Sequence, residues 1–243
     1  MGISLRSVTK MYREADGPVV KGVSYTFEAG KFTALMGRSG SGKSTLLNMM
    51  SGIVTPTSGE VIYSDTNIFK ASDKRRSALR AQLTATVFQD YNLLNFLTAE
   101  ENIDLGRRIS KCKSKGLSAE DALRAVGLSG FEKKRPSELS GGQNQRVAVA
   151  RAIAVGPDII FADEPTGALD ENSSRTVVKL LKDVAKEGVA VVMVTHDPYI
   201  AAAADTVLEL RDGIISNVLD KPTVGDILSA LRADGDDFGQ EDE

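Results

Sequence analysis

Short apolar runs separated by turns dominate the first part of the chain. Between residues 3 and 36 these runs are ISLRSV, VSYTF and FTALM. Runs of this length, bounded by polar or glycine positions, predict β-strands. The pattern then changes to helical spacing in TLLNMMSG, at 45–52, before a further strand-like run, EVIYS, at 60–64. The amino-terminal part is therefore predicted to be mostly β, with one helix.

The middle of the chain is richer in helix-forming residues. ATVFQ at 85–89 is predicted to be a buried strand, because four of its residues are apolar or β-branched. From about residue 90 to residue 150 the composition shifts to helix formers, as in LTAEENIDLGRR and QRVAVARAIAV. We interpret this stretch as a helical lobe inserted into the core of the domain.

The strand pattern returns after the helical lobe. DIIFAD at 158–163 and GVAVVMVTH at 188–196 are predicted strands, and the residues between them include a helix-length stretch with apolar side chains at helical spacing. Apolar strands that alternate with helices favour a parallel sheet covered on both faces. The predicted fold class is therefore α/β.

Composition limits the classes of protein that fit. Of 243 residues, 42% are hydrophobic and 26% are charged, which is typical of a globular domain. The net charge of −3 argues against a general nucleic-acid surface, so we expect no nucleic-acid partner. No apolar run reaches the length of a membrane span, so we expect that the chain does not cross a membrane by itself.

Two further features concern the cellular setting and the domain bounds. The single cysteine, Cys112, cannot form an internal disulfide, which fits a reducing cytoplasm. Residues 233–243, ADGDDFGQEDE, are acidic and are expected to form a disordered, solvated tail. The domain itself is predicted to occupy residues 1–232.

Residues 37–44 match the phosphate-binding pattern G-x-x-x-x-G-K-[ST] in full, between a predicted strand and a predicted helix. Glycines let the backbone curl so that its N–H groups point at a phosphate. Lys43 is predicted to contact the β- and γ-phosphates of ATP, and Ser44 is predicted to bind Mg²⁺. The predicted nucleotide-binding residues of this loop are Gly37, Arg38, Ser39, Gly40, Ser41, Gly42, Lys43, Ser44 and Thr45.

Polar residues at the ends of three predicted strands complete a candidate hydrolytic site. Asp163 ends the run DIIFAD and is predicted to hold Mg²⁺, and Glu164 follows it as the predicted general base. His196, the only histidine, follows the run VAVVMVT and is predicted to contact the γ-phosphate or the attacking water. Gln89 closes ATVF and is predicted to contact the metal or the water. We assign catalytic roles to Glu164, His196, Gln89 and Lys43, and metal binding to Ser44, Gln89 and Asp163.

A second glycine-rich stretch, LSGGQ at 139–143, has no lysine, so it cannot repeat the chemistry of the first loop. It precedes the predicted helix NQRVAVARAIAV, so Ser140, Gly141 and Gly142 would offer N–H groups and a hydroxyl at a helix amino terminus. The two anion-binding loops can both contact one γ-phosphate if they come from different subunits. We therefore predict a two-fold dimer in which this loop closes over the ATP of the partner.

With GRSGSGKS, Gln89, LSGGQ, FADEP, GALD and His196 in this order, residues 3–218 resemble the nucleotide-binding subunit of an ABC transporter. The resemblance implies a P-loop ATPase core with an amino-terminal antiparallel β subdomain and an inserted helical subdomain. It also implies that Tyr12 stacks on adenine, that Gln143 belongs to the nucleotide-binding LSGGQ motif, and that Asp170 communicates across the dimer. Asn144 departs from the family pattern, in which a second glutamine often follows LSGGQ.

Softer signals in FQDYNLLNFLTAEENI and ADEPTGALD resemble the branch of macrolide exporters and lipoprotein-release systems. This resemblance implies an ATP-hydrolysing subunit at the cytoplasmic face of the membrane, paired with a separate permease that has few spans and a large extracytoplasmic domain. The cargoes of that branch include haem, antimicrobial peptides and antibiotics, and the ATPase sequence does not discriminate among them.

Two alternatives stand beside the transport ATPase. One is a regulatory ABC ATPase of the cell-division type, which drives a periplasmic hydrolase. The other is a soluble ABC protein of translation or DNA repair. Those usually carry two ATPase domains or a long coiled coil, whereas this chain has one phosphate loop and a short lobe.

Overall fold

The computed structural model describes residues 2–110 and 116–232. In chain order the strands are β1 (Ile3–Met11), β2 (Pro18–Phe27), β3 (Phe32–Met36), β4 (Ser58–Tyr63), β5 (Thr66–Asn67), β6 (Thr84–Phe88), β7 (Ile159–Asp163), β8 (Ala190–Val194), β9 (Thr206–Arg211) and β10 (Ile214–Asp220). They form two sheets. The antiparallel one has the order β2-β1-β4-β5, and the larger one has the order β10-β9-β3-β8-β7-β6.

Eight α-helices are present in the described residues. They are α1 (Lys43–Met50), α2 (Asp73–Leu83), α3 (Ala99–Ser110), α4 (Ala119–Ala125), α5 (Gly141–Ala154), α6 (Glu171–Lys186), α7 (Pro198–Ala201) and α8 (Val224–Arg232). None of these helices is both long enough and apolar enough to cross a lipid bilayer.

The four inner strands of the six-stranded sheet, β9, β3, β8 and β7, are buried on both faces, and the sequence of β3 shows why. Phe32, Ala34 and Met36 of β3 pack with the helices on one face, whereas Leu35 packs with α1 and the antiparallel sheet on the other. Successive side chains of a strand point to opposite faces, so a strand covered on both sides must be apolar throughout. The domain thus has a central sheet between a helical layer and a β-rich layer.

The order of the parallel strands determines where the polar residues meet. β3, β8, β7 and β6 are neighbours and run parallel, so their carboxyl ends lie at one edge of the sheet. Gly37 follows β3, Glu164 follows β7 and Gln89 follows β6, while His196 comes two residues after β8. Residues far apart in the sequence are therefore brought to one edge, where open α/β sheets bind their ligands.

Most of the predicted elements are confirmed, and one burial prediction is wrong. The α/β fold, with its antiparallel sheet, is as predicted. The strand predicted at 85–89 exists, but only Val87 of β6 is fully buried. The reason is that β6 is the edge strand of the six-stranded sheet and has a neighbouring strand on one side only.

Several elements were not predicted from the pattern. These are α2, whose sequence DKRRSALRAQL is largely charged, and the carboxyl-terminal β9, β10 and α8. The helices α3, α4 and α5 lie between β6 and β7, as the predicted lobe requires, while its bounds and those of the domain stay predictions. Cys112 and the acidic tail lie outside the described residues.

Candidate active site

The phosphate loop has a backbone that only glycine adopts easily. Gly37, Gly40 and Gly42 have φ angles of 146°, 79° and 101°, in the region that side chains disfavour. A Cβ at position 37 would lie 2.1 Å from the carbonyl oxygen of Leu210, and one at position 42 would lie 2.8 Å from that of Val19. Conformation therefore requires all three glycines, and close backbone contacts are a second reason at Gly37 and Gly42.

Lys43, the first residue of α1, is bonded to its own loop. Its Nζ donates to the carbonyl oxygens of Gly37 at 2.7 Å and Arg38 at 2.8 Å. Burial lowers the pKa of Lys43, and the nearby carboxylates of Glu164 and Asp163 oppose that shift. An ammonium has three N–H donors, so two bonds hold the loop in shape and one donor remains for a phosphate oxygen.

A cleft of about 420 Å³ opens beside this loop. Its walls are formed by Val19, Gly37, Ser39, Gly40, Gly42, Lys43, Ser44, Thr45, Glu164, Val194 and His196. Two of the predicted loop residues, Arg38 and Ser41, instead line a second cavity behind the loop. Ser41 is 7% exposed, and its hydroxyl has no hydrogen-bond partner within the described chain. The cleft therefore joins the phosphate loop to two of the predicted catalytic residues.

Glu164 and His196 form a bonded pair on the wall of the cleft. The Nδ1 atom of His196 lies 2.9 Å from Oε2 of Glu164, which is within hydrogen-bond distance. Glu164 has a φ of 48°, an uncommon value for a residue with a side chain. Its N–H donates to the carbonyl of Val194, and its own carbonyl accepts from Gly167, so the backbone is held on both sides. Strain of this kind persists where the surroundings enforce it, and it is concentrated at functional sites.

The predicted magnesium ligands have suitable chemistry. Ser44, Gln89 and Asp163 offer hydroxyl, amide and carboxylate oxygens, the hard donors that Mg²⁺ prefers. Burial raises the pKa of Asp163, the Glu164 carboxylate raises it further, and Lys43 lowers it. Burial and the like charge of Glu164 thus disfavour an ionised Asp163, a cost that a bound cation would offset. The described residues contain no group of three or more His, Cys, Asp or Glu side chains placed to hold a metal ion, and the predicted set needs only one carboxylate.

Two residues predicted to contact the nucleotide or the metal do not line the cleft. Gln89 packs over the loop that follows Glu164, since a Cβ at Gly167 would lie 3.0 Å from its Nε2. Tyr12, directly after β1, is 58% exposed, and Lys10 Nζ lies 5.0 Å from its ring centroid. Neither residue is on the cleft wall, so the stacking role of Tyr12 and the ligand role of Gln89 stay predictions.

The LSGGQ stretch forms the amino terminus of α5 through a capping box. The hydroxyl of Ser140 accepts from the N–H of Gln143 at 3.3 Å, and Oε1 of Gln143 accepts from the N–H of Ser140 at 2.8 Å. Asp170 caps α6 in a similar way by accepting from the N–H and the hydroxyl of Ser173. These local bonds position both residues, whereas their contacts across a dimer stay predictions.

Sequence reasoning missed four residues at or near the site. Val19 and Val194 form apolar parts of the cleft wall, and no local pattern identifies them. Gln145 and Arg151 bond the backbone around Gln89 from α5. A signal for the last two was present, because they are polar side chains within the apolar run QRVAVARAIAV.

Comparison with known proteins gives one consistent family. Residues 20–167 match the family model described as ABC transporter. The ABC transporter ATP-binding protein YvrO of Bacillus subtilis (strain 168), itself uncharacterized, is 41% identical over 94% of this chain and 100% of its own length. The macrolide export ATP-binding/permease protein MacB of Mannheimia succiniciproducens is 43% identical over 88% of this chain. The chain spans only 34% of that exporter's length.

A solved structure agrees with the same family. It is a dimeric structure of a post-hydrolysis state of the ATP-binding cassette MJ0796 bound to ADP and Pi. It has a TM-score of 0.80 and 35% sequence identity, and the match covers 91% of this chain and 99% of that chain. The likeness therefore extends over nearly the whole cassette.

Proposed function

The chain belongs to the ABC transporter family of ATPases, and from that membership we propose that it drives an export-type permease carried on a separate chain. The observation that carries the proposal is the cleft in which the phosphate loop faces the Glu164–His196 pair. One wall is suited to hold phosphates and the other to activate water. A site with both features hydrolyses a nucleotide rather than only binding it.

The proposed mechanism assigns one task to each wall of the cleft. The N–H groups of the phosphate loop and the remaining donor of Lys43 bind the β- and γ-phosphates. Glu164 accepts a proton from the water that attacks the γ-phosphate. His196 holds that carboxylate through the bond to its Oε2 atom and keeps it facing the cleft. The strained backbone of Glu164 contributes to the same orientation.

The metal proposal concerns Mg²⁺ held by Ser44, Asp163 and Gln89. When bound, this ion neutralises charge on the phosphate oxygens. Ser44 is on the cleft wall. Asp163 is close enough to Lys43 and Glu164 for their charges to shift its pKa. The protein's own contribution is to keep the Asp163 carboxylate at the carboxyl end of β7, next to the general base.

The proposed working unit is a dimer that shares two ATP molecules. LSGGQ of one chain would close over the ATP held by the phosphate loop of its partner, with Asp170 at the interface. Support comes from the dimeric state of the MJ0796 cassette and from the helix amino terminus that Ser140 begins. ATP then closes the dimer, and hydrolysis reopens it.

The membrane partner is proposed from the names of relatives. The permease would be a separate chain, because YvrO, matched over its full length, is named an ATP-binding protein. Export is supported by similarity to the macrolide export protein, which combines an ATP-binding part and a permease. On this proposal the chain lies at the cytoplasmic face of the membrane, bound through a permease with few spans and a large extracytoplasmic domain.

The test is Glu164→Gln, compared with Glu120→Gln as a matched control. The amide keeps the shape of the side chain but cannot accept a proton, so we expect the ATP hydrolysis rate to fall about 100-fold or more with ATP binding retained. Glu120 is paired with Arg124 on the exposed side of α4 and does not line the cleft. Its amide variant should hydrolyse ATP at the parent rate. A Glu164→Gln protein with parental phosphate release would contradict the assignment.

The shared-site part of the proposal has its own test. Because a complete site needs two chains, ATPase activity per subunit should fall when the protein is diluted below its dimerisation range. Light scattering at the same concentrations reports the oligomeric state. A demonstrated monomer that hydrolyses ATP at an unchanged rate would contradict shared sites while leaving the assignment of Glu164 intact.

A further inference from the structure

Two polar side chains of the apolar helix α5 bond to the chain around Gln89. Nε2 of Gln145, a fully buried residue, donates to the carbonyl oxygen of Phe88 at 3.2 Å. The two Nη atoms of Arg151 donate to the carbonyl oxygens of Tyr91 at 2.9 Å and Asn92 at 2.5 Å. Gln89 thus lies between backbone groups that one helix holds on both sides.

The turn that Arg151 holds is strained. Tyr91 and Asn92 have φ angles of 59° and 50°, so two consecutive residues with side chains adopt the left-handed region. Asparagine tolerates this conformation, whereas tyrosine rarely adopts it. Such a turn persists when its surroundings enforce it. The planar guanidinium, with donors in a fixed fork, is suited to hold two adjacent carbonyls in this shape.

Holding the turn in this way is costly for Arg151 itself. Within the described chain its guanidinium has no carboxylate partner, and burial lowers the pKa of Arg151. A cation removed from water without a counter-ion is unfavourable, even when carbonyl dipoles satisfy its donors. Gly106 of α3 makes room for the side chain, since a Cβ there would lie 3.1 Å from Cγ of Arg151. Strain in the turn and a half-buried cation without a carboxylate partner therefore occur together beside a predicted catalytic residue.

We propose that Arg151 and Gln145 are positioning residues that fix Gln89 to the helix whose first turn is LSGGQ. The inference rests on the proposed function, because it concerns how Gln89 is placed for ATP hydrolysis. Neither residue contacts the cleft; both act through the backbone of residues 88–92. As a consequence, Gln89, the predicted contact of the metal or the attacking water, is held to the same helix as LSGGQ.

The test is a double-mutant cycle on steady-state ATP turnover. Arg151→Met and Gln89→Ala are measured singly and together. We expect each single change to lower kcat about ten-fold, because a misplaced catalytic group loses most of its effect. The double variant should be no slower than Gln89→Ala alone, since Arg151 has nothing left to position. An Arg151→Met effect that multiplies with Gln89→Ala would overturn the inference.

Arg146→Met is the matched control. Arg146 lies on the same helix and also donates to two carbonyl oxygens, those of Val126 at 3.2 Å and Gly127 at 3.3 Å, but these belong to the end of α4. Arg146→Met should change kcat by the same factor in the parent and in the Gln89→Ala variant. Arg151→Lys keeps the charge and can reach one carbonyl, so its kcat should lie between those of the parent and Arg151→Met. Equal coupling to Gln89 for both arginines would overturn the inference.

The remaining outcomes are also decisive. If circular dichroism shows that Arg151→Met does not fold, Gln145→Met replaces it in the cycle, because it removes one donor to Phe88 at nearly constant volume. Gln145→Met should then lower kcat in the parent but not in the Gln89→Ala variant. If Gln145→Met lowers kcat by the same factor in both, the inference is overturned. A parent protein without ATPase activity would contradict the proposed function, whereas an active parent with independent effects contradicts this inference alone.

Discussion

The phosphate loop and LSGGQ are both glycine-rich, yet they need glycine for different reasons. Gly37, Gly40 and Gly42 have positive φ angles, so the shape of the backbone requires them. Gly141 and Gly142 lie in α5 with ordinary helical angles. There the reason is packing, since a Cβ at position 142 would lie 2.4 Å from the hydroxyl oxygen of Ser173, and one at 141 would lie 2.9 Å from that of Tyr91. The same composition thus serves loop conformation in one place and contact between helices in the other.

The largest effect in this comparison is expected from Gly37→Ala. The new methyl group would meet the carbonyl oxygen of Leu210, which belongs to β9 and cannot move without disturbing the central sheet. We expect the ATPase rate to fall about 100-fold or more, because the loop can no longer place the phosphates. Phosphate release and equilibrium ATP binding are the measurements. Because the clash is with a backbone carbonyl, no second substitution should restore the activity of Gly37→Ala. A second side-chain substitution that did restore it would show that the clash is not with the backbone.

Gly142→Ala should have a smaller and reversible effect. Its methyl group would meet the side chain of Ser173, which a second substitution can remove. Overpacking of this kind typically costs 1–3 kcal/mol, so we expect about a ten-fold loss of ATPase activity. Ser173→Gly should restore much of that activity in the double variant, with Ser173→Gly alone as the control. A double variant no better than Gly142→Ala would mean that position 142 needs glycine for another reason.

Ser140 separates the cap from the predicted contact with phosphate. Ser140→Ala removes the acceptor for the N–H of Gln143, which should cost about 1 kcal/mol of folding free energy and about 2–4 °C in Tm. Ser140→Asp keeps a good cap and should preserve Tm, but its carboxylate would repel the partner's phosphate and lower the ATPase rate. Thermal melting and ATPase assays together distinguish the two roles. Parental activity in Ser140→Asp would contradict a phosphate contact at this position.

The same contrast explains what the sequence could and could not predict. The phosphate loop is a local pattern, so its position between β3 and the start of α1 followed from eight consecutive residues. Asp163 and Glu164 could be predicted for a related reason, because an apolar run in the sequence ends at them. The bonds from Arg151 to Tyr91 and Asn92 join residues about sixty positions apart and depend on how α5 packs. The only sign of these bonds in the sequence is that Arg151 is a polar residue within an apolar helix.

The local sequence of a strand also does not show whether the strand lies at the edge of a sheet. ATVF has the composition of an interior strand, but β6 has no neighbour on one side, which depends on the order of all six strands. Helix α2 was missed because only one of its residues, Leu79, is buried, so almost no apolar periodicity marks it. Elements that depend on few buried contacts leave a weak pattern in the sequence.

The position of β3 between β8 and β9 has a consequence for biosynthesis. The strand that leads into the phosphate loop ends at Met36, yet its partners on both sides begin at Ala190 and Thr206. At 5–20 residues per second, a ribosome needs roughly 8–30 seconds to make the chain between β3 and β8. During that time the buried strand that leads into the phosphate loop has no sheet to join. The ability to bind ATP therefore arises only after β9 has been synthesised, when the central sheet closes around β3.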